Sequence, residues 1–208
     1  MVKFSSKGNT LNKLKTIVLK AKIAPLSIID ANSFLKTNSL SNINFKELGA
    51  GPFIVRSSSS NEDTLHSSNA GAYLSILNVK KDDLRDSIKN VINSYDKVKN
   101  NDQVLIQPMI QNVIMSGVAF SHDPNTCSPY KVINWTEGSK TDEVTSGKKS
   151  YCWYQTSVLK NKIPKHIKMV NDLIDELLDI FSNNPIDCEF AITKQSKKQN
   201  YGYFKQDH

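Results

Sequence analysis

One arginine and four serines, Arg56 and then Ser57, Ser58, Ser59 and Ser60, open a polar run that continues through Asn61, Glu62 and Asp63 to Gly71. Hydroxyls and backbone amides at this density suffice to surround phosphate oxygens, and Gly71 allows close backbone approach. A guanidinium at the junction would offset the charge of a polyphosphate. The flanks are apolar, FIV at 53–55 and AYLSILNV at 72–79, so the run is anchored at both ends, and binding groups concentrate on such connections. The same composition also suits a solvated link between two strands, and composition alone leaves both open. A second chemical residue is Glu189, set in the apolar string CEFAI. An unpaired carboxylate in that setting is costly. A cation explains it better than solvent, and Mg²⁺ favours carboxylate oxygens beside phosphates. Gln107 interrupts the apolar VLIQPMI, where satisfying a backbone group is the simplest role. Lys7, one lysine among many, alone reads as solvated surface.

The remaining candidate groups carry less. His66, His122 and His166 have no partner spacing. Cys127, Cys152 and Cys188 are odd in number and lack metal-ligand spacing, so free thiols in a reducing cytoplasm are expected. The 208 residues carry a net charge of +7, but only Arg56 and Arg85 among the 27 basic residues are arginine. Scattered lysine without interleaved aromatics disfavours a nucleic-acid-binding protein, although it suits a nucleotide triphosphate. No run of 18 apolar residues is present, so no membrane partner is expected. The polar N-terminus does not read as a secretory signal.

Around these residues the periodicity predicts a mixed architecture. Leu11, Leu14, Ile17, Val18 and Ala21 are spaced as a helix over 8–22, closed by Pro25. A short helix and a loop are expected over 30–48, and a helix over 80–99 with Asp82 and Asp83 in its first turn. Strands are expected at 53–55, 72–79, 103–110, 116–122, 131–135, 150–158, 188–193 and 201–206, the last two as a hairpin. A long amphipathic helix is expected at 164–182, ending at the Asn-Asn-Pro turn. Hairpins together with helices favour an α+β class over a parallel βαβ sheet. One domain of two lobes, approximately 1–100 and 101–208, is the expected organisation.

The string VRSSSSNEDTLHSSNAGAYLSILNV resembles the phosphate-loop signature of the N-terminal nucleotide-binding domain of phosphoenolpyruvate synthase and pyruvate phosphate dikinase, V-R-S-S-A-x-x-E-D-x-x-x-x-S-x-A-G-x-x-x-T-x-L-N-V. Val55, Arg56, Ser57, Ser58, Glu62, Asp63, Ser68, Ala70, Gly71, Leu77, Asn78 and Val79 fall in register, with Ser75 where the family has Thr. Further segments follow in the family's order. Lys7-Gly8-Asn9 resembles K-G-x-N-L-x-x-L, with a looser match. VLIQPMI resembles the V-x-V-Q-x-M-V hinge, and SGVAFSHDPNT (116–126) the A-G-V-x-F-T-x-D-P-x-T stretch. TDEVTSGK (141–148) is similar to G-E-x-V-V-S-G and aligns Glu143. DCEFAI (187–192) resembles D-I-E-[WF]-A, and YFKQDH (203–208) stands where the family has L-L-Q-x-R-P.

The resemblance implies an ATP-grasp fold, in which two α+β lobes close on ATP. It implies that Lys7 and Arg56 reach the phosphates, with Ser57, Ser58, Gly71, Ser75 and Glu143 also on the nucleotide. Gln107 and the backbone of Pro108, Met109 and Ile110 would meet adenine, with Met109 on the ring. Glu189 and Gln206 would hold Mg²⁺. In that family ATP phosphorylates a histidine on a swivelling domain, which passes the phosphate to an acceptor. No T-S-H-A-type segment is present, so the phosphohistidine and acceptor-binding domains are expected elsewhere in a longer chain. Pyruvate and the glutamine side-chain amide are the acceptors the resemblance suggests, with a lean toward an L-glutamine kinase-type relative. The family's arginine two residues after the glutamine is His208 here, and a histidine cannot supply the same fork. That departure favours the alternative of a non-catalytic ATP-binding regulatory module.

Overall fold

The computed structural model describes residues 2–59, 63–64, 67–68, 74–138, 150–156 and 163–194. They form two compact units. The first takes Phe4–Lys13 and Ala24–Met109; the second takes residues 2–3, Leu14–Ile23 and the described residues from Ile110 onward.

In the first unit, helix α1 (Lys7–Leu14) leads to strand β1 (Ser27–Asp30), helix α2 (Ala31–Thr37) and the single-turn helix α3 (Phe45–Leu48). Strand β2 (Phe53–Ser58), a two-residue pair β3 (Asp63–Thr64) and β4 (Ser67–Ser68), strand β5 (Ser75–Val79), helix α4 (Leu84–Asn93) and strand β6 (Gln103–Pro108) follow. The main sheet is ordered β1-β6-β2-β5, antiparallel throughout. Leu84, Ile88, Val91 and Ile92 of α4 recur on one helix face and are buried in one core with Phe53 and Val55 of β2.

Local chemistry sets the boundaries. Asp30 caps α2, its carboxylate accepting from Ser33 N at 2.7 Å, and Asn38 closes the helix in the left-handed region at φ 49°. Asn44 caps α3 in the same way. The region 30–48 therefore holds two short helices, one more than its sequence predicts. Strand β1 has four residues, too few for an alternating pattern to declare itself, and it was not among the predicted strands. Strand β2 runs three residues past its apolar stretch, so Arg56, Ser57 and Ser58 lie inside the strand instead of opening a loop. Backbone pairing to Leu105, Val104 and Gln103 holds them there. Asn78, at φ 56°, sits where β5 carries one extra residue against β2.

The second unit contains strands β7 (Val113–Phe120), β8 (Tyr130–Glu137) and β9 (Ser150–Thr156), helix α5 (Lys168–Ile180) and strand β10 (Asp187–Thr193). Its sheet is ordered β10-β7-β8-β9 and is antiparallel. Val170, Leu173, Ile174 and Leu177 of α5 are buried, as the predicted stripe requires, and Lys131 of β8 bonds Asn171 at 3.1 Å and pairs with Asp175. The helix closes at Phe181, after which Ser182 and Asn183 take φ near 60° and Asn184 Nδ2 donates to Phe181 O at 2.8 Å. The helix predicted over 8–22 stops at Leu14. Beyond it, the backbone N–H groups of Leu19 and Lys20 donate to the two carboxylate oxygens of Glu176 on α5, both at 2.8 Å. A bidentate acceptor from α5 thus takes two donors that a continuing helix would have used itself.

Candidate functional site

In an antiparallel sheet successive side chains alternate faces, and residues directly opposite share one. The register places Arg56 opposite Leu105 on one side and Ser75 on the other, Ser58 opposite Gln103, and Gln107 opposite Ile54. Arg56, Ser58, Ser75 and Gln107 therefore occupy one face of the first sheet. Ser57 alternates to the other face, beside Val104 of the α4 core. Ile28 of β1 shares the Arg56 face, and α1 begins over it. Gly8 N donates to Ser58 Oγ at 3.0 Å, and a Cβ on Gly8 would stand 3.1 Å from Ile28 Cγ1. A glycine after Lys7 thus lets the first turn of α1 approach the end of β2. Lys7 is 5% exposed, which overturns its reading as one solvated lysine among many. Gln107 is buried, Arg56 half-buried and Ser75 exposed. Pro108 pairs with Phe53 at the end of β6, and Met109 N donates to Pro52 O at 2.8 Å. Met109 and Ile110 are half-buried there.

In the second unit Glu189 lies mid-strand in β10, half-buried, in a cross-strand row with Val118, Asn134 and Cys152. Asp187 precedes it on the same face. Cys188 and Phe190 alternate to the buried side. Burial first, then the charges of Asp187 and Glu189, pushes the Cys188 thiol far above its usual value, so it stays a neutral core group. Among the described residues no three His, Cys, Asp or Glu side chains gather as a metal cage. Asp187 and Glu189 on one strand face are the kind of donors, one or two carboxylates, that Mg²⁺ takes together with nucleotide phosphates.

Gly71, Glu143, Gln206 and His208 lie outside the described residues, as do Glu62, Ala70 and the strand predicted at 201–206. The stretch 116–126 resolves into β7 and a turn. Asp123 Oδ1 accepts from Asn125 N at 2.9 Å, Thr126 N at 2.8 Å and Thr126 Oγ1 at 3.0 Å. The Thr126 backbone bond is the main cause holding the Asp123 carboxyl below its ordinary value. A depressed carboxyl supports the turn above the ordinary carboxylate midpoint, about 3.9, and that support is lost as pH falls through the folded value. The Asn125 and Thr126 amide resonances are accordingly expected to titrate with a midpoint below that of an unstructured aspartate. A midpoint at or above it would contradict this role.

The sequence did not single out the polar groups behind the Arg56 face. Tyr95, read only as an apolar position of a helix, accepts from Ser58 N at 3.3 Å and donates to Gln103 O. Asp102 is 1% exposed and takes the Ser59 hydroxyl at 2.7 Å. An acidic residue immediately before β6, separated from the apolar VLI only by Gln103, was the available signal.

Helices on antiparallel sheets in two units are the α+β arrangement expected of an ATP-grasp domain. ATP citrate lyase from Methanothrix soehngenii, in complex with citrate and coenzyme A, aligns at TM-score 0.52 and 12% identity, over 98% of this chain and 50% of that one. D-alanine-D-alanine ligase from Helicobacter pylori aligns at TM-score 0.48 and 17% identity, over 97% of this chain and 54% of the ligase. PH1788 from Pyrococcus horikoshii Ot3 aligns at 0.49 and 14%, over 96% and 87%. The chain thus spans about half the length of the lyase and of the ligase. No curated protein matches it by sequence. Residues 36–170 match the family described as pyruvate phosphate dikinase, AMP/ATP-binding domain. The chain belongs to that family and is an AMP/ATP-binding domain. The matched segment takes in Arg56, Ser57, Ser58, Ser75 and the residues 107–110; Lys7 and Glu189 lie outside it.

Proposed function

We propose that this chain is the MgATP-binding domain of an ATP-dependent phosphotransferase that phosphorylates a carrier histidine on a separate swivelling domain, from which a small-molecule acceptor receives the phosphate. One observation carries the proposal. Arg56, Ser58, Ser75 and Gln107 share a sheet face with the Lys7-Gly8 end of α1, and all four fall in the segment matching the AMP/ATP-binding family. Arg56 and Lys7 offset charge on the transferred phosphoryl group, which needs positioning and electrostatic stabilisation more than covalent chemistry. Ser58, Gly71, Ser75 and Glu143 complete the nucleotide contacts, whereas Ser57, expected among them from the sequence, lies on the opposite face toward the α4 core. Gln107 and the 108–110 backbone take the adenine edge. Glu189 and Gln206 hold Mg²⁺, which neutralises phosphate charge when bound. Pyruvate or the glutamine side-chain amide is the acceptor, bound by a domain outside this chain, and the cytoplasm is the proposed compartment. Among the described residues no helix is long and apolar enough to cross a membrane.

A non-catalytic ATP-binding regulatory module is the second reading, favoured by His208 where the family carries arginine. Thermal-shift titration with MgATP, MgADP and an oligonucleotide tests nucleotide binding. Both nucleotides are expected to raise Tm, by mass action on the folded state, and the oligonucleotide to leave it unchanged. No shift at millimolar MgATP would overturn both readings. Phosphohistidine formation on an added carrier domain of this family separates the catalytic reading from the regulatory one.

A further inference from the structure

The end of β2 is held by a buried polar network that touches none of the proposed nucleotide contacts except Ser58. Its centre is Asp102. One carboxylate oxygen accepts from Ser59 Oγ at 2.7 Å and the other from Lys99 N at 2.7 Å. The main chain of Asp102 is fixed as well, its N–H donating to Lys99 O at 3.2 Å and its carbonyl accepting from Ala31 N at 3.0 Å. A buried carboxylate is tolerated only when its lone pairs are met, and charge-assisted bonds of this kind are strong. An asparagine here could still accept from Lys99 N, but its amide N–H would have to donate to Ser59 Oγ, reversing that bond and removing the charge that strengthens both.

The location gives the network its consequence. Ladder pairing of β2 with β6 ends at Ser58 opposite Gln103. The following pair, Ser59 with Asp102, is joined through side chains. Because faces alternate, drawing Ser59 toward Asp102 commits Ser58 and Arg56 to the opposite face. There Ser58 Oγ accepts the Gly8 N–H, and Tyr95 closes the strand end from behind through Ser58 N and Gln103 O. Ser6 Oγ also donates to Gln103 Oε1 at 2.8 Å, so residues on both sides of the α1 start are tied to the same strand ends.

We propose that Asp102 is the positioning residue of the nucleotide site: without touching the nucleotide, it locks the end of β2 in the phase that presents Arg56 and Ser58 beside the Lys7-Gly8 turn. This rests on the proposed function of that face. Titration calorimetry with MgATP and with AMP, well below each Tm, tests it on wild type, Ser59→Ala, Asp102→Asn and the double variant. Val91→Ala, in the α4 core, supplies a destabilised control. Ser59→Ala and Asp102→Asn are each expected to weaken MgATP about tenfold, with the double variant within about twofold of the weaker single, because both remove one coupling. AMP, which lacks the terminal phosphates, and Val91→Ala are expected to change by less than about twofold. MgATP affinity within twofold of wild type in the single variants overturns the inference. So does multiplication of the two effects in the double variant, or an equal loss for Val91→Ala or for AMP. Should Asp102→Asn fail to fold, Ser59→Ala decides. If wild type binds no MgATP, the nucleotide function itself falls; if it binds and the variants are indifferent, only the role of Asp102 does.

Discussion

Gly117→Ala is expected to destabilise the second unit by about 3 kcal/mol or more and to lower its Tm by roughly 6–12 °C. Gly117 lies in β7, opposite Phe190 of β10 and Trp135 of β8. A Cβ built there would stand 1.9 Å from Asn134 O and 2.8 Å from Trp135 Cα. Both are backbone atoms, so no side chain can rotate away. Strand β8 is also paired to β9 on its far edge, which restrains it from moving outward. Relief requires prising β7 from β8 at the centre of the sheet, and overpacking that displaces backbone is among the costlier single changes. The two tryptophans, Trp135 and Trp153, both lie in this sheet, so their fluorescence follows the second unit without interference from the first. Ser116→Ala, the adjacent half-buried position, is the comparison and is expected within about 0.5 kcal/mol of wild type. A tryptophan-monitored Tm for Gly117→Ala within about 2 °C of wild type would show that the sheet yields more easily than its pairing implies.

Arg56→Ala is expected to weaken MgATP about 10- to 100-fold while circular dichroism remains that of the wild type. A charged hydrogen-bond partner lost from a binding site costs about 1.5–3 kcal/mol, which corresponds to that range. Arg56→Lys separates charge from shape. A lysine keeps the positive charge but brings a compact ammonium on a flexible stem, where arginine offers a planar fork to two oxygens. Lysine should therefore recover only part of the loss, the more so because the strand fixes the Cα opposite Leu105 and Ser75. Full recovery would mean that Arg56 acts as a point charge alone. An Arg56→Ala variant binding MgATP within about threefold of wild type would remove the residue from the site.

Much of the fold was legible where the signal is local. The stripe of α5, the α4 face and the apolar runs of β6 and β10 each carry their period within one segment, and the structure places those elements with shifts of a few residues. The α+β class and the family were legible through the ordered motifs around Arg56. Where the reading went wrong, distant groups decide. Leu11 to Ala21 keep a helical period, yet Glu176, more than 150 residues later, takes the Leu19 and Lys20 donors. Strand β1 exists because β6 pairs with it, and four residues cannot advertise that. For the candidate site, residue types were readable but register was not. That Arg56, Ser58, Ser75 and Gln107 share a face while Ser57 does not depends on which residues lie opposite them. Asp102 escaped for the same reason, since its importance lies in Ser59, a partner 43 residues away.

Leu14–Ile23 belong to the second unit, although the residues on either side belong to the first. No single backbone cut separates the two units. A nick after Met109 would leave this early segment covalently on the N-terminal fragment but anchored to α5 of the other through Glu176. Cleavage there should yield a complementing pair that holds together under native conditions, and a C-terminal fragment expressed alone would lack a part of itself. As the chain emerges from the ribosome, the Leu19 and Lys20 donors must wait about 150 residues for the Glu176 carboxylate that takes them.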